Sequence, residues 1–222
     1  MKEYQYLKDH KVKITGAIHV GAHRAEELDE HTALGAKKII WVEANPDVFL
    51  EMINNLEGSG VENYPFCYAC CEIDDQEVEF NIVYGDDAGY MTGNKGCSSL
   101  LKPIGRMEPW HRRTIQADTI TLDSLISRND LEYEDYQLLE IDVQGSEFRV
   151  LQGAIETLKH IKYVSLEVTF SNPDYEGVPD WFVIQGFLNM QGFFHKETFM
   201  RDEGWGDALF AREGIGDVDI IQ

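Results

Sequence analysis

The stretch ITGAIHVGAHRAEE, residues 14–27, decides the fold that this sequence predicts. Its mostly apolar run from Ile14 to Val20 stops at Gly21, a pattern typical of a buried strand that ends in a turn. Glu26 and Glu27 follow, and acids ahead of apolar residues at helical spacing are typical of the first turn of a helix. We therefore expect a strand, a glycine turn and a helix. In such a unit the glycine lets a ligand approach the backbone, and the free N–H groups of the helix start can bind it.

The next apolar run, KIIWV at residues 38–42, predicts a second buried strand that ends in Glu43. Glu43 follows Gly21 at close to the separation of about 20 residues at which an acid contacts a ribose diol in nucleotide-binding α/β folds. Asn45 is a good N-cap and Pro46 a good first helical residue, so a second helix should begin here. The alternative is that Glu43 is only a solvated strand end.

The later part of the chain continues this alternation. Strands are predicted at residues 62–70, 78–82, 138–145 and 163–170, with helical spacing between several of them. Residues 193–199 and 208–212 lie so close together that an antiparallel C-terminal hairpin is expected. The fold class is therefore α/β, a doubly wound and mostly parallel sheet. Ligands bind beyond the carboxyl ends of such strands, so Gly21, Glu43, Asp142 and Glu167 should converge on one crevice.

Length and charge limit the function classes. The 222 residues suffice for one α/β domain, and no Pro/Gly/Ser linker divides residues 1–222. The formal net charge of −21 opposes any phosphate backbone, so we expect neither nucleic acid nor an anionic membrane as a partner. No apolar run approaches the roughly 18 residues of a membrane span. We expect a cytoplasmic protein without membrane insertion, and leave a homo-oligomer open.

Three features allow two interpretations each. Cys67 and Cys70 form a C-x-x-C without the second pair of a zinc site, and small core residues are the favoured interpretation. Asp74 is either a turn acid or an acceptor for an adenine amino group. The irregular region of residues 85–115 predicts a functional loop or lid. Its basic side chains either line a pocket for an anionic or sugar substrate or form a surface patch; they are Arg106, His111, Arg112 and Arg113, beside Trp110.

With these residues in place, the chain resembles the FkbM-type family of S-adenosylmethionine-dependent methyltransferases over roughly residues 14–212. Four matches carry the resemblance: HVGAHRAEE at 19–27, VEANP at 42–46, TLDSL at 121–125 and LLEIDVQGSEFRVLQGA at 138–154. The last is the most specific. Its matches to the family's wording, K-I-D-v-E-G-x-E-x-x-V/L-x-G-A, are Asp142, Gly145, Glu147, Gly153 and Ala154.

Five positions depart from the family's wording. Glu140 and Gln144 replace the usual Lys and Glu, and His19, His23 and Ala25 stand where the family commonly has an acid, Asn and Gly. In the family, the acid at the position of His19 holds the methionine end of the cofactor. The resemblance implies a seven-stranded sheet with a reversed last strand and S-adenosylmethionine as cofactor. We expect cofactor contacts from His19, Gly21, Ala22, His23, Glu26, Glu43, Ala44, Asn45, Asp74 and Asp142.

The chemistry implied is methyl transfer to a hydroxyl, which needs alignment of the reacting atoms and a base. The candidate bases are Asp142, Glu167 and His111. Alternatively, Asp142 and Glu167 could hold Mg²⁺, because hard cations favour carboxylate oxygens. A metal held by His19 and His23 is less favoured, since their H-x-x-x-H spacing crosses a strand and a turn and does not lie on one helix.

Three functional hypotheses remain at this stage. The favoured one is an O-methyltransferase that acts on a hydroxyl of a sugar, glycan or similar small molecule. A nicotinamide oxidoreductase is disfavoured, because His23 and Ala25 interrupt the three-glycine pattern of a pyrophosphate site. A non-catalytic protein that binds S-adenosylmethionine is the alternative that is not an enzyme. Fold alone does not choose between them.

Overall fold

The computed structural model describes residues 2–83, 96–201 and 204–214. Its helices are α1 (Lys2–Asp9), α2 (Leu28–Leu34), α3 (Pro46–Leu56), α4 (Leu122–Arg128), α5 (Glu147–Gln152), α6 (Ile155–Leu158) and α7 (Trp181–Met190). Its strands are β1 (Gly16–Val20), β2 (Lys38–Val42), β3 (Glu62–Phe66), β4 (Ala69–Cys70), β5 (Glu77–Val83), β6 (His111–Ile120), β7 (Leu138–Ile141), β8 (Tyr163–Thr169), β9 (Phe193–Met200) and β10 (Trp205–Arg212). No helix in these described ranges is both long and apolar enough to cross a membrane.

Seven strands form the main sheet in the order β3-β2-β1-β7-β8-β10-β9. The first five are parallel neighbours, whereas β10 lies antiparallel between β8 and β9. This confirms the predicted α/β sheet, its reversed last strand and its C-terminal hairpin. The chain leaves β1 toward β2 on one side and returns to β7 on the other. The carboxyl ends of the neighbouring strands β1 and β7 are therefore the topological switch point, where such sheets bind ligands.

The strands read as continuous apolar runs because helices cover both faces of the sheet. On one face, α1, α2 and α3 pack against side chains such as Ala17, Ile39 and Leu138. On the other, α4 to α7 pack against Ile18, Ile40 and their neighbours. The alternation along β1 and β7 consequently places two polar residues, His19 and Glu140, on the face covered by α1 to α3.

The turn after β1 is longer than predicted. The helix α2 begins at Leu28 and not directly after Gly21, so Glu26 and Glu27 precede it. Gly21, His23 and Ala25 all have positive φ angles, which a helix excludes. Residues 21–27 are thus a loop, and the prediction that Glu26 and Glu27 belong to the first turn of the helix is wrong, because α2 begins at Leu28.

Two further boundaries differ from the prediction. The expected strand at residues 62–70 splits, because β3 joins the main sheet whereas β4 joins a small sheet with the order β4-β6-β5. His111 begins β6, so residues 111–115 are a strand and not part of an irregular loop. Residues 84–95 of that predicted loop lie outside the described residues. The helix α1 had no clear sequence signal.

The cysteines are free, and Cys70 and Cys71 are buried. Burial raises the pKa of the Cys70 thiol, which keeps it protonated and inert. Cys70 thus fits the interpretation as a small core residue, whereas Cys67 is only half-buried.

The close packing of α5 against the chain after β4 provides a test of the fold. A Cβ added to Gly153 would lie 2.2 Å from the carbonyl oxygen of Cys71. Gly153→Ala should therefore lower the free energy of unfolding by about 1–3 kcal/mol, the typical cost of overpacking. Urea unfolding monitored by circular dichroism measures it.

The matched control is Gly186→Ala in the middle of α7, where an added Cβ meets nothing within 4 Å. It should raise the free energy of unfolding by about 0.4–1 kcal/mol, because alanine restricts the unfolded chain. Equal effects of the two substitutions would contradict the packing described here.

Candidate active site

A cleft of about 1500 Å³ opens at the carboxyl ends of β1, β7 and β8. Its walls include His19, Gly21, Asp142 and Glu167, so three of the four residues expected to converge line it together. Glu43 lies next to it in a narrow cavity of about 40 Å³, which Gly21 and Asp142 also line. The described residues therefore bring all four to the switch point.

Gly21 is required here by the protein's own backbone. Its φ of 83° is positive, and a Cβ at this position would lie 1.8 Å from the carbonyl oxygen of Asp142. The ends of β1 and β7 are held together by the amide of Asp142, which donates to the carbonyl of Val20 at 2.9 Å. Glycine thus allows two strand ends to meet, a reason different from the ligand approach expected from the sequence.

Glu43 joins the loops that follow β1 and β2. One carboxylate oxygen accepts the amide of His23 at 3.0 Å, and the other accepts the amide of Asn45 at 2.6 Å. Burial raises the pKa of Glu43 to about 7. The side chain of Asn45 caps α3 by accepting the amide of Asp47 at 3.1 Å, as its position in the sequence indicated.

Polar atoms without partners surround this carboxylate. The Nε2 atom of His23 and the Nδ2 atom of Asn45 are buried and have no hydrogen-bond partner within the described chain. The other ring nitrogen of His23 lies 2.8 Å from Glu26. Buried polar groups are rarely left unpaired, so these atoms fit a site that a polar ligand completes. Of the two alanines in these loops, Ala22 is buried in the core and Ala44 is half-buried.

Asp142 and Glu167 form a bridged pair of acids at the base of the cleft. The side-chain amide nitrogen of Gln144 donates to Asp142 at 2.7 Å and to Glu167 at 3.3 Å. Loss of bulk water raises the pKa of both acids, and their mutual repulsion raises that of Glu167 further, well above its ordinary value. When two carboxyl groups share a site, one keeps its proton. The pKa of Glu167 is the more strongly raised of the two, so Glu167 keeps its proton to higher pH than Asp142 does.

The turn that presents this pair is organised by Glu147, which matches the family's motif but had no role predicted from the sequence. One oxygen of its buried carboxylate accepts the amides of Val143 at 3.2 Å and Gly145 at 3.0 Å. Burial raises the pKa of Glu147 to about 7. It is a positioning residue, because it fixes the backbone from which Asp142 and Gln144 project.

Two sequence candidates lie elsewhere. Asp74 accepts the amide of Thr121 and the hydroxyl of Ser124, both at 2.7 Å, and so holds the start of α4, whose N-cap is Thr121. His111 is exposed at the start of β6, with its ring 3.3 Å from Thr114. As far as the chain is described, neither lines the cleft or the narrow cavity. The structure therefore gives no geometric support to a cofactor role for Asp74 or a base role for His111.

The basic residues divide between cleft and surface. Arg106 pairs with Asp174 at 2.7 Å, and both line the cleft with Trp110. Arg113 pairs with Asp47 at the surface, at 3.1 Å. The pocket-wall interpretation thus describes Arg106 and Trp110, and the surface-patch interpretation describes Arg113.

A buried polar cluster behind the cleft was missed. It contains Tyr4, His19, His31 and Glu140, and His19 pairs in register with Glu140 across β1 and β7. Burial lowers the pKa values of His19 and His31 and raises that of Glu140 to about 8. The available signal was that two departures from the family wording, His19 and Glu140, fall on strands that pair in this fold.

Comparison with known proteins identifies the family. The model of the FkbM methyltransferase domain matches residues 19–199. The chain belongs to this family. A search of curated proteins found no match. It is therefore a methyltransferase domain.

Solved structures agree with the fold. A candidate tRNA (m1A22) methyltransferase from Streptococcus pneumoniae has a TM-score of 0.50 and 10% identity, over 96% of this chain and 70% of that one. The same protein in complex with S-adenosyl-L-methionine gives 0.50 and 10%, over 96% and 72%. An uncharacterized protein from Listeria monocytogenes serotype 4b gives 0.50 and 10%, over 96% and 68%. At this identity the likeness shows the fold alone.

Glu147 makes the stability of the FkbM domain depend on pH. The pKa of this carboxyl group is about 4.3 in the unfolded chain and about 7 in the folded protein. At pH values between these two, the folded state therefore binds more protons than the unfolded state does. The free energy of unfolding should therefore fall as the pH rises from 5 to 8, by up to about 3 kcal/mol for this group. Glu147→Gln keeps an accepting oxygen, so it should flatten this decrease in urea unfolding.

The control for this experiment is Glu156→Gln at the exposed surface, where Glu156 pairs with Lys159 at 2.6 Å. It should leave the pH dependence unchanged. A decrease equally steep in Glu147→Gln and in the parent protein would show that Glu147 does not titrate as described.

Proposed function

We propose that this FkbM domain transfers a methyl group from S-adenosylmethionine to a hydroxyl of a sugar, glycan or similar small molecule. The observation that carries the proposal is the bridged pair of Asp142 and Glu167 at the switch point. Two acids with raised pKa values lie side by side, joined by Gln144, in a cleft that also contains the family's cofactor motif.

The residues around Glu43 fit the nucleoside of the cofactor. Glu43 is the acid placed to accept the ribose diol, and the unpartnered atoms of His23 and Asn45 lie in the same loops. The narrow cavity beside Glu43 is far below the roughly 300–1,000 Å³ of typical small-molecule sites. Binding therefore requires lining side chains such as Leu100 or Phe80 to move.

The chemistry that the cofactor supplies is a methyl group on a sulfonium. Asp142 would accept the proton of the attacking hydroxyl as the oxygen–carbon bond forms and the carbon–sulfur bond breaks. A positioned base of this kind contributes a factor of about 10² to 10⁴. The larger contribution, about 7–11 kcal/mol, comes from alignment of the reacting atoms. Glu167, whose raised pKa favours the protonated form, can donate a hydrogen bond to the acceptor.

A magnesium ion between the two acids is not favoured by this geometry. The position between them is taken by the side-chain amide nitrogen of Gln144, which donates to both. A cation would have to displace that donor. Direct proton transfer to Asp142 accordingly needs no metal in this proposal.

The walls of the cleft favour a neutral or cationic acceptor over a phosphorylated one. Among the described lining residues, Glu26, Glu27, Glu140, Asp142, Glu167, Asp174 and Asp207 outnumber Arg24, Arg106 and Arg201. Such a field repels polyanions, including an RNA backbone. Trp110 and Trp205 add flat rings with a polar edge, which suit a hydroxylated ring that has both apolar and polar faces.

The direct test is transfer of tritiated methyl from S-adenosylmethionine to a panel of monosaccharides, disaccharides and amino sugars, with total tRNA as a further arm. We expect base-stable label on a hydroxylated acceptor and none on tRNA. Label on tRNA alone would overturn the proposed acceptor class. Cofactor binding without label on any acceptor would favour the non-catalytic alternative.

Glu43 should govern cofactor affinity. Glu43→Gln should weaken S-adenosylhomocysteine binding by about tenfold or more, because hydrogen bonds to a charged acceptor contribute about 1.5–3 kcal/mol. The ionised form accepts both ribose hydroxyls, so affinity of the parent protein should rise between pH 6 and 8, as Glu43 loses its proton. Calorimetric titration at several pH values measures both effects.

Two controls accompany this titration. Glu57→Gln, exposed just after α3, should bind like the parent protein. Thermal unfolding of Glu43→Gln shows whether the loops have collapsed, since glutamine offers one acceptor for two backbone amides. Unchanged affinity and unchanged pH dependence in Glu43→Gln would remove the ribose assignment.

Asp142 should govern turnover. Asp142→Asn should lower kcat by about 10² to 10⁴ while the affinity for S-adenosylhomocysteine changes much less. In the parent protein, kcat should rise with pH above the ordinary aspartate pKa of about 3.9, because the raised pKa means that Asp142 becomes a base only at higher pH.

The comparison variant is Asp118→Asn on the exposed side of β6, which should keep full turnover. Rate measurements over the pH range use the acceptor found in the panel. Full turnover by Asp142→Asn across that range would exclude Asp142 as the base.

A further inference from the structure

Three ligand atoms converge behind the cleft in a way that the methyltransferase proposal does not use. They are Nδ1 of His19, Nε2 of His31 and Oε2 of Glu140. The two nitrogens are 3.5 Å apart, and the carboxylate oxygen is 3.8 Å from the first and 3.5 Å from the second. All three side chains are buried.

These separations are long for hydrogen bonds. An N–H donor normally lies about 2.7–3.2 Å from its acceptor. Direct hydrogen bonding among the three atoms therefore does not account for their convergence. Buried polar groups normally have close partners. Here Tyr4 donates to the carboxylate oxygen, whereas the contacts of the two ring nitrogens in the described chain are 3.5 Å or longer.

The same separations suit a metal ion. A circle through the three atoms has a radius of about 2.1 Å, close to the zinc–nitrogen and zinc–oxygen distances of about 2.0–2.2 Å. In a tetrahedral site the triangle corresponds to bonds of about 2.2 Å, so a shift of one or two tenths of an ångström completes it. One coordination position then remains open.

We propose that His19, His31 and Glu140 bind one divalent transition-metal ion, with Zn²⁺ as its representative. Two imidazoles and a carboxylate select such ions over Mg²⁺ and Ca²⁺, which favour oxygen ligands alone. The site links three elements: His19 comes from β1, His31 from α2 and Glu140 from β7.

The surroundings support the site in two ways. Tyr4 of α1 donates its hydroxyl to the same oxygen of Glu140, and such an outer hydrogen bond fixes the orientation of a ligand. Trp41 packs 5.6 Å from the ring of His19 and 5.4 Å from that of His31, between ring centres, which fixes both rings.

The charge around the site also calls for a cation. Glu27 lies 3.9 Å from the ring of His19, and Glu3 is buried with one oxygen lacking a partner in the described chain. Arg201 pairs with Glu3 at 3.4 Å and with Asp207 at 2.5 Å. The carboxylates thus exceed the described positive charge in contact with them, and buried carboxylates are normally paired or bound to metal.

Binding of the ion would tie α2 to the two strands at the switch point. His19 and Glu140 also line the main cleft, so the ion would stand in the wall between cleft and core. A ligand that binds only the folded state stabilises it, and the melting temperature should rise with Zn²⁺ concentration.

The test is calorimetric titration of the full-length protein, first treated with EDTA and then dialysed, with ZnCl₂ and separately with MgCl₂. We expect one Zn²⁺ per chain at micromolar or tighter affinity, and no Mg²⁺ at this site. His31→Gln and Glu140→Gln should each weaken Zn²⁺ binding at least tenfold. The absence of stoichiometric Zn²⁺ binding by the parent protein would overturn the proposal.

The matched control is His160→Gln, which changes a histidine that also faces a glutamate, Glu134, at 3.4 Å but lies outside this cluster. It should bind Zn²⁺ like the parent protein. Equal affinity in the parent protein, His31→Gln and Glu140→Gln would place the ion elsewhere and refute the assignment.

A measurement on the unsubstituted protein covers the case in which the variants fail to fold. Co²⁺ added to the EDTA-treated protein should give the visible absorption of a low-symmetry site with nitrogen ligands, and Zn²⁺ should displace it. A spectrum like that of hydrated Co²⁺ would refute the site. Because every readout is metal binding, the result stands apart from the outcome of the methyl-transfer experiments.

Discussion

The contact between the ends of β1 and β7 is the constraint on which the rest of the site depends. Gly21 has no side chain, and the carbonyl of Asp142 occupies the place where one would be. This contact puts the cofactor motif of the first loop beside the acids that follow β7. A larger residue at Gly21 would force the strand ends apart. The crevice would then change shape even though every ligand-binding side chain was still present.

Two buried glutamates build the loops on either side of that contact by the same means. Glu43 accepts two backbone amides and joins the loops after β1 and β2, while Glu147 accepts two and shapes the turn after β7. The pKa of each of these glutamates is raised to about 7, so ionising either side chain lowers the stability of the folded state. The two carboxylates thus fix the backbone of these loops, and their burial makes the folded state less stable than it would otherwise be.

The sequence predicted the sheet well and the buried polar cluster not at all. Continuous apolar runs marked β1, β2, β7 and β8, because strands covered on both faces have few polar positions to confuse the pattern. Asp74 was placed among cofactor contacts from its position in the chain, yet its oxygens are taken by α4. Only His19 and Glu140 carried a signal, as departures from the family wording on strands that pair, whereas His31 joins them through the docking of α2, which no local pattern predicts.

The position of β1 in the middle of the sheet has a consequence for the order of assembly. Its two neighbours are β2, which follows within about twenty residues, and β7, which follows more than a hundred residues later. Pairings across such separations are slow, because closing the long intervening loop costs entropy before the contacts between the strands form. While Leu138–Ile141 is still inside the ribosome, the emerged part of the chain can form the edge of the sheet but not its centre. The ligand crevice is therefore among the last features of this protein to exist as it folds.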